Sequence, residues 1–187
     1  MSVEIEVKIR VPDHDAIRAR LSESGAQPLG NHFETNTFFD TRDNALLAGD
    51  RGLRVRVSRD VRTGQSVVTL THKGPRQSGE VKSREETELI VQREDHAAAL
   101  LGCLGYRQVL AFEKRRESWM FHNCRVELDE IPRVGKFVEI EGPTESEVIR
   151  IRDELGLKDH PQTKPSYAAL IMSMLQQNGI MDRTVRF

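Results

Sequence analysis

Cysteine and flat aromatic rings are scarce in this chain of 187 residues, which has two Cys, one Trp and two Tyr, and no apolar run reaches bilayer-spanning length. Cys103 and Cys124 stand far apart and outside any CxxC spacing, so they read as reduced thiols of a cytosolic, cytoplasmic protein rather than a disulfide framework. With so few rings, a base-stacking platform for single-stranded nucleic acid is not expected. An excess of one charge is missing too: 28 Lys and Arg against 29 Asp and Glu leave a formal net charge of -1. A nucleic-acid duplex is therefore a poor partner, because counterion release needs an uncompensated cationic surface. Residues 1–11 alternate charged and apolar side chains instead of running from a basic stretch into an apolar one, so no membrane address is expected. Neither GxxxxGK[ST] nor GxGxxG occurs, which excludes the P-loop and the Rossmann turn. The six histidines lack metal-ligand spacing, which argues against zinc.

What the chain does have is alternation. Residues 3–11 keep a strict period of two, and Pro12 ends them. Asp13 can cap a helix carrying Ile17 and Leu21 and stopped by Gly25. Strands are expected at 35–39, 52–58 and 67–73, with turns at Gly49 and Gly64, and then a long strand at 80–91. An Ala/Leu-rich helix at 95–104 precedes strands at 109–121, 124–128 and 137–141, the first two joined by a tight hairpin at His122-Asn123. Thr144-Glu145-Ser146-Glu147 has capping-box spacing, so 145–155 is expected to be helical, and a last helix should run from Ser166 to Gly179. Length and spacing suit one domain over 1–187, with a core at about 2–178 and a loosely held tail at 179–187. About eight strands without βαβ alternation make the fold class α+β and the sheet antiparallel.

The polar positions of these strands carry charges on one face, again and again. Glu4, Glu6 and Lys8 share a face, as do Arg54 and Arg56, then Arg84, Glu86 and Glu88. Lys114 and Arg116, Glu127 and Asp129, and Glu139 and Glu141 repeat the pattern, while the alternate faces are mostly apolar. The plain alternative is that the ionic side meets solvent, where exposed ion pairs contribute ~0–1 kcal/mol each. A sheet of that kind leaves two open edges, and closing it into a barrel removes them. Closed with its apolar faces outward, the barrel has a charged lumen and needs helices or a partner chain over its outer face, so a homodimer stays open. Buried charges need counter-charges, and a triphosphate with divalent metal ions supplies both signs. Lys73 ends its strand before a Lys-Gly-Pro turn and is the inward residue, with His72 beside it as the lesser candidate.

At this point the residues resemble the CYTH superfamily of triphosphate tunnel enzymes. Glu4-x-Glu6-x-Lys8 is similar to its ExExK signature, and the companions are Leu53-Arg54-Val55-Arg56, Thr69 to Pro75, Arg84-x-Glu86-x-Glu88, Lys114-x-Arg116, and Leu128 to Ile131 followed by Gly135 to Glu141. The resemblance implies a closed eight-stranded antiparallel β-barrel with peripheral and C-terminal helices, and a Mg²⁺- or Mn²⁺-dependent reaction on a triphosphate. It implies that Lys8, Arg54, Arg56, Lys73, Arg84, Lys114 and Arg116 grip phosphates. Glu4, Glu6, Glu139 and Glu141 would hold metal, with Glu86, Glu88 and Asp129 as further ligands, and Glu127 would only neutralise arginine. Lys8 and the four first-named glutamates would be catalytic.

The segment from Leu128 to Glu141 and the Lys-Gly-Pro sequence look most like class IV adenylyl cyclases, which convert ATP to 3′,5′-cyclic AMP and pyrophosphate. Pro132-Arg133-Val134-Gly135 departs from the Gly-Leu-Gly turn of that branch, and His72 replaces a common aromatic. Hydrolysis of tripolyphosphate, thiamine triphosphate or a nucleoside triphosphate uses the same tunnel with the phosphates in another register. A non-catalytic polyphosphate sensor is the third reading, and the paired Glu4 and Glu6 argue against it.

Overall fold

The computed structural model describes residues 2–77 and 81–187. Its first strand, β1 (Ser2–Val11), gives way to α1 (Asp15–Glu23), where the Asp13 carboxylate accepts from the Asp15 N–H at 3.0 Å and Gly25 turns the chain at φ +74. Then come β2 (Gln27–Asp40), a single helical turn α2 (Ala45–Ala48), β3 (Gly52–Asp60), β4 (Ser66–Gln77) and β5 (Lys82–Val91). After α3 (Glu94–Cys103) follow β6 (Arg107–Phe121), β7 (Cys124–Ile131) and β8 (Gly135–Glu141). The chain ends with α4 (Glu145–Glu154), α5 (Tyr167–Gln177) and β9 (Thr184–Val185). The first residue of the strand expected at 80–91, Glu80, lies outside the described residues.

Eight strands close on themselves in the order β2-β3-β4-β5-β1-β8-β7-β6, and β6 pairs back onto β2 from Gln27↔Met120 to Asp40↔Arg107. Every pairing in this ring is antiparallel, so the barrel has no open edge. One face of the pleat therefore looks inward and the other outward. Val7, Ile9, Val126, Val138 and Ile140 point outward and are covered by Ile17 and Leu21 of α1 and by Val148 and Ile151 of α4. Each such side chain taken out of water contributes roughly 1.5–3 kcal/mol. Thr144 accepts from the Glu147 N–H at 3.3 Å, the expected cap of α4. Ala97 and Leu101 of α3 cover Leu53 and Val55 on the far side. In contrast, α5 lies across one end of the bore, where Ile171 and Leu175 pack on Leu110, Phe112 and Phe137. Among the described residues, no helix is long and apolar enough to cross a membrane.

Three elements differ from the expectations. β2 begins eight residues before the expected Thr35, because its polar first half pairs with β6, and such pairing leaves no local mark in the sequence. Lys73-Gly74-Pro75 is not a turn: β4 runs on to Gln77 through a register shift between Lys73 and Arg76, the kind of bulge at which a strand tolerates Pro. Gly74 suits the spot, since a Cβ there would stand 3.3 Å from the Glu85 carbonyl oxygen. The tail is tied down rather than loose: β9 adds in parallel to β6, the Ala111 N–H donates to the Arg183 carbonyl at 2.8 Å, and Val185 is buried.

Candidate functional site

Because side chains alternate, the register of the ring decides what meets inside. Glu6 faces Lys82 on one neighbour and Glu141 on the other, Lys8 faces Glu139, and Glu4 faces Arg84. Arg56 stands between Asn36 and Thr69, and Lys114 stands level with Glu34. The result is a cavity of about 1260 Å³, bordered by every residue expected at the site except Asp129, which lies fully buried beneath its wall. His72 is on the outer face and exposed, and Lys73 points inward.

One group of charges neutralises itself. Asp129 accepts from Arg116 through both oxygens, at 2.7 and 2.6 Å, from Lys114 at 3.3 Å and from the Tyr167 hydroxyl at 2.9 Å. Lys114, 1% exposed, also stands 3.1 Å from Glu34, which meets Arg56 at 3.3 Å. Arg116 reaches on to Glu139 at 2.7 Å, and Lys8 lies 3.4 Å from Glu139 and over the Tyr167 ring. Burial opposes these charges, but the cations win at the acids: Lys8, Arg116 and Lys114 hold Glu139 well below the usual carboxylate range, and Arg56 and Lys114 do the same for Glu34. Although burial works against the Arg116 charge, Asp129 and Glu127 raise its pKa well above the ordinary value. Lys114 is pulled down by burial and by Arg116. Glu127 accepts from Ser118 at 2.5 Å and sits 3.7 Å from Arg116, and burial raises its carboxyl above the usual value.

A second group is short of positive charge. Lys73 lies 3.2 Å from both oxygens of Glu4 and also contacts Glu86, while Lys82 contacts Glu6. Burial and a hydrogen bond with Glu86 raise the Glu4 carboxyl. Burial, then the charges of Glu4 and Glu6, raise Glu141. Burial pushes Glu86 up as well, but the Glu4 hydrogen bond and Lys73 bring it below its usual value. Glu88 is at the rim, accepting from Thr71 at 2.7 Å and lying 3.9 Å from Arg54.

Donors are also left over. Among the described residues, Asn36 Nδ2, Arg54 Nε and Arg84 Nε are buried with no acceptor, and all three residues border the cavity. An unsatisfied buried donor costs about 1–3 kcal/mol, which an acceptor-rich guest would offset. Burial and the neighbouring Arg56 pull Arg54 down to about 10, and an anion would reverse that.

Magnesium or manganese can be tested against this donor set. Hard divalent ions need several oxygen ligands, and Glu4, Glu6, Glu86 and Glu141 offer crowded carboxylates, two of them with raised pKa. The chemistry fits, although among the described residues no three side chains already converge as metal ligands. Lys73 and Lys82 stand among these carboxylates instead. Asp129, expected as a ligand, is occupied by Lys114, Arg116 and Tyr167. Among residues not picked out from the sequence, Asn36, Lys82 and Tyr167 border the cavity and Glu34 lies buried beside Lys114. Lys82 was findable, being two residues before Arg84 on the same face, whereas Glu34 falls in the unseen half of β2.

The CYTH domain profile matches residues 2–160. The chain belongs to the CYTH family. Adenylate cyclase CyaB of Aeromonas hydrophila is 28% identical over 94% of this chain and 92% of its own length. The PH1819 protein of Pyrococcus horikoshii superposes with a TM-score of 0.80 at 26% identity, covering 91% of this chain and 99% of that one. HpAC1 of Hippeastrum, described as a candidate adenylyl cyclase with a dominant triphosphatase activity, has a TM-score of 0.69 at 23% identity, covering 91% and 96%. The CYTH fold thus accounts for the closed barrel, and CYTH enzymes generally use divalent metal ions.

Proposed function

We propose that this protein is a divalent-metal-dependent enzyme of the CYTH family that binds a nucleoside triphosphate in its tunnel and converts ATP to 3′,5′-cyclic AMP and pyrophosphate. The observation that carries the reading is the pairing, in one cavity, of unsatisfied cationic donors with carboxylates that outnumber their lysine partners. The cyclase branch is favoured by the motif between Leu128 and Glu141 and by the likeness to CyaB along nearly the whole chain.

Arg54, Arg56, Lys73, Arg84, Lys114 and Arg116, with Lys8, would grip the phosphates. Arginine offers a two-pronged donor to phosphate oxygens, and Lys8 and Lys114 act as point charges. Asp129 and Glu34 hold Lys114 and Arg116 in place before substrate arrives, so little reorganisation is needed as charge develops on the leaving pyrophosphate. Glu4, Glu6 and Glu141, with Glu139, Glu86 and Glu88 near them, would hold the metal. Bound there, it would supply the Lewis acidity that lowers the pKa of the attacking 3′-hydroxyl.

The test is to incubate purified protein with Mg²⁺ or Mn²⁺ and, separately, ATP, tripolyphosphate and thiamine triphosphate, and to resolve the products. Cyclic AMP with pyrophosphate is expected. Orthophosphate alone would make the protein a triphosphatase, and binding without turnover would make it a sensor.

A further inference from the structure

We propose that Lys82 is an internal counter-ion that competes with the divalent metal for Glu6, and that the metal enters as the lysine swings aside into a cavity in the barrel wall. This rests on reading Glu4, Glu6 and Glu141 as metal ligands and adds what governs their occupancy.

The register puts Lys82 in that position. Glu6 is the last residue of β1 paired to β5, directly opposite Lys82, and on its other side it faces Glu141 of β8. Glu6 is buried, and among the described residues its ion pair is with Lys82 alone, while Glu141 has none. A divalent ion sits ~2.0–2.6 Å from its carboxylate oxygens. An ammonium group in contact with the same carboxylate repels an ion at that range, so one cation has to yield to the other.

Lys82 has somewhere to go. Past Glu6 the β1–β5 ladder stops, and Ile9 bridges to Gln162 of the segment before α5 instead. The wall at this seam is closed by a loop rather than a strand, and it holds a cavity of about 130 Å³ bordered by Glu6, Arg76, Lys82, Gln162, Thr163 and Lys164. Arg76 and Lys164 are exposed, so the cavity leads toward solvent. Lys82 borders both this cavity and the bore, whereas Lys73, which pairs with Glu4 and Glu86, borders the bore alone. Lys82 therefore releases Glu6 and keeps polar surroundings. The exchange lowers the affinity for metal below what the carboxylates alone would give, and it lets Glu6 stay buried beside Glu141 with a counter-charge of the chain's own.

The experiment is calorimetric titration of chelator-treated protein with Mn²⁺, with no phosphate compound present, for the wild type, Lys82→Gln, Lys82→Arg and Lys164→Gln. Lys164 borders both cavities and forms no ion pair among the described residues, so it controls for a general change of charge. Lys82→Gln is expected to bind Mn²⁺ about tenfold more tightly than wild type, and the other two variants to stay within about twofold. In chelator Lys82→Gln should melt below wild type, and Mn²⁺ should raise its melting temperature by more. Unchanged or weaker Mn²⁺ affinity in Lys82→Gln overturns the competition and leaves the metal site standing. Absence of Mn²⁺ binding in every protein removes the metal site, and the competition with it. If Lys82→Gln does not fold, the wild type gives the answer through reductive methylation read by mass spectrometry. Lys82 should then label faster in Mn²⁺ than in chelator while Lys164 does not change, and a Lys82 rate indifferent to Mn²⁺ overturns the exchange.

Discussion

The two clusters of carboxylates in the bore are built from the same residue types and behave in opposite ways. Around Asp129, Glu34 and Glu139, every acid has two or more cations within reach, and Glu34 and Glu139 hold their charge well below the usual range. Around Glu4, Glu6, Glu86 and Glu141, two lysines serve four acids, and Glu4 and Glu141 are driven up. A charged interior is stable only where each ion finds its partner within the chain. The first cluster is therefore scaffold that also presents cations, and the second is short of positive charge, which a metal ion would supply under the proposed function.

Asp129→Asn should break that comparison most severely. It removes the negative charge that Lys114 and Arg116 share and turns one of two acceptor oxygens into a donor, leaving two buried cations undercompensated, at a cost of about 3–5 kcal/mol. Chemical denaturation measures it, and tripolyphosphate should recover part of the loss by replacing the missing negative charge. A variant as stable as wild type would show that Asp129 does not anchor the cations.

Glu141→Gln should do the reverse, cutting turnover about 100-fold while leaving stability unchanged or improved. The sign follows from linkage: Glu141 has a folded pKa above its unfolded value, so the fold loses stability as pH rises through that range. The glutamine cannot titrate, so its gain in melting temperature should be present at neutral pH and fade toward pH ~4. Glu4→Gln should behave alike, and an unchanged rate in either variant would remove that residue from the metal site.

Removing residues 182–187 should cost less, about 1–2 kcal/mol, because it exposes part of the Phe112 cluster and frees the Ala111 N–H. That tail also explains what was legible in the sequence. Strict alternation is local, so Glu4 to Lys8, Arg54 to Arg56 and Glu139 to Glu141 announced both their strands and their inward face. Closure of the ring was legible only indirectly, from the difficulty of leaving two ionic edges open. The early start of β2, the bulge at Gly74-Pro75 and the docking of Thr184-Val185 depend on partners far along the chain, and no local period encodes them. Glu34 went unnoticed for that reason, and so did Tyr167, whose role comes from α5 folding over a barrel end.

The smallest expected effect lies outside the bore and tests whether an isolated buried group obeys the same rule as the clusters. His14, just before α1, is buried, and its Nε2 donates to the Phe137 carbonyl at 3.0 Å. Burial lowers its pKa below 6.5, with Lys136 and Arg18 adding to the effect, so the folded protein holds it neutral while the unfolded chain takes up a proton. The stability it contributes is therefore whole above about pH 6.5 and is lost as pH falls from there toward the folded value. His14→Gln should lower stability by roughly 0.5–1.5 kcal/mol at neutral pH. The gap in melting temperature between variant and wild type should narrow by about pH 5.5, whereas a gap that is constant or widens on acidification would mean that His14 is charged in the fold and that some acid not in contact with it supplies the balance.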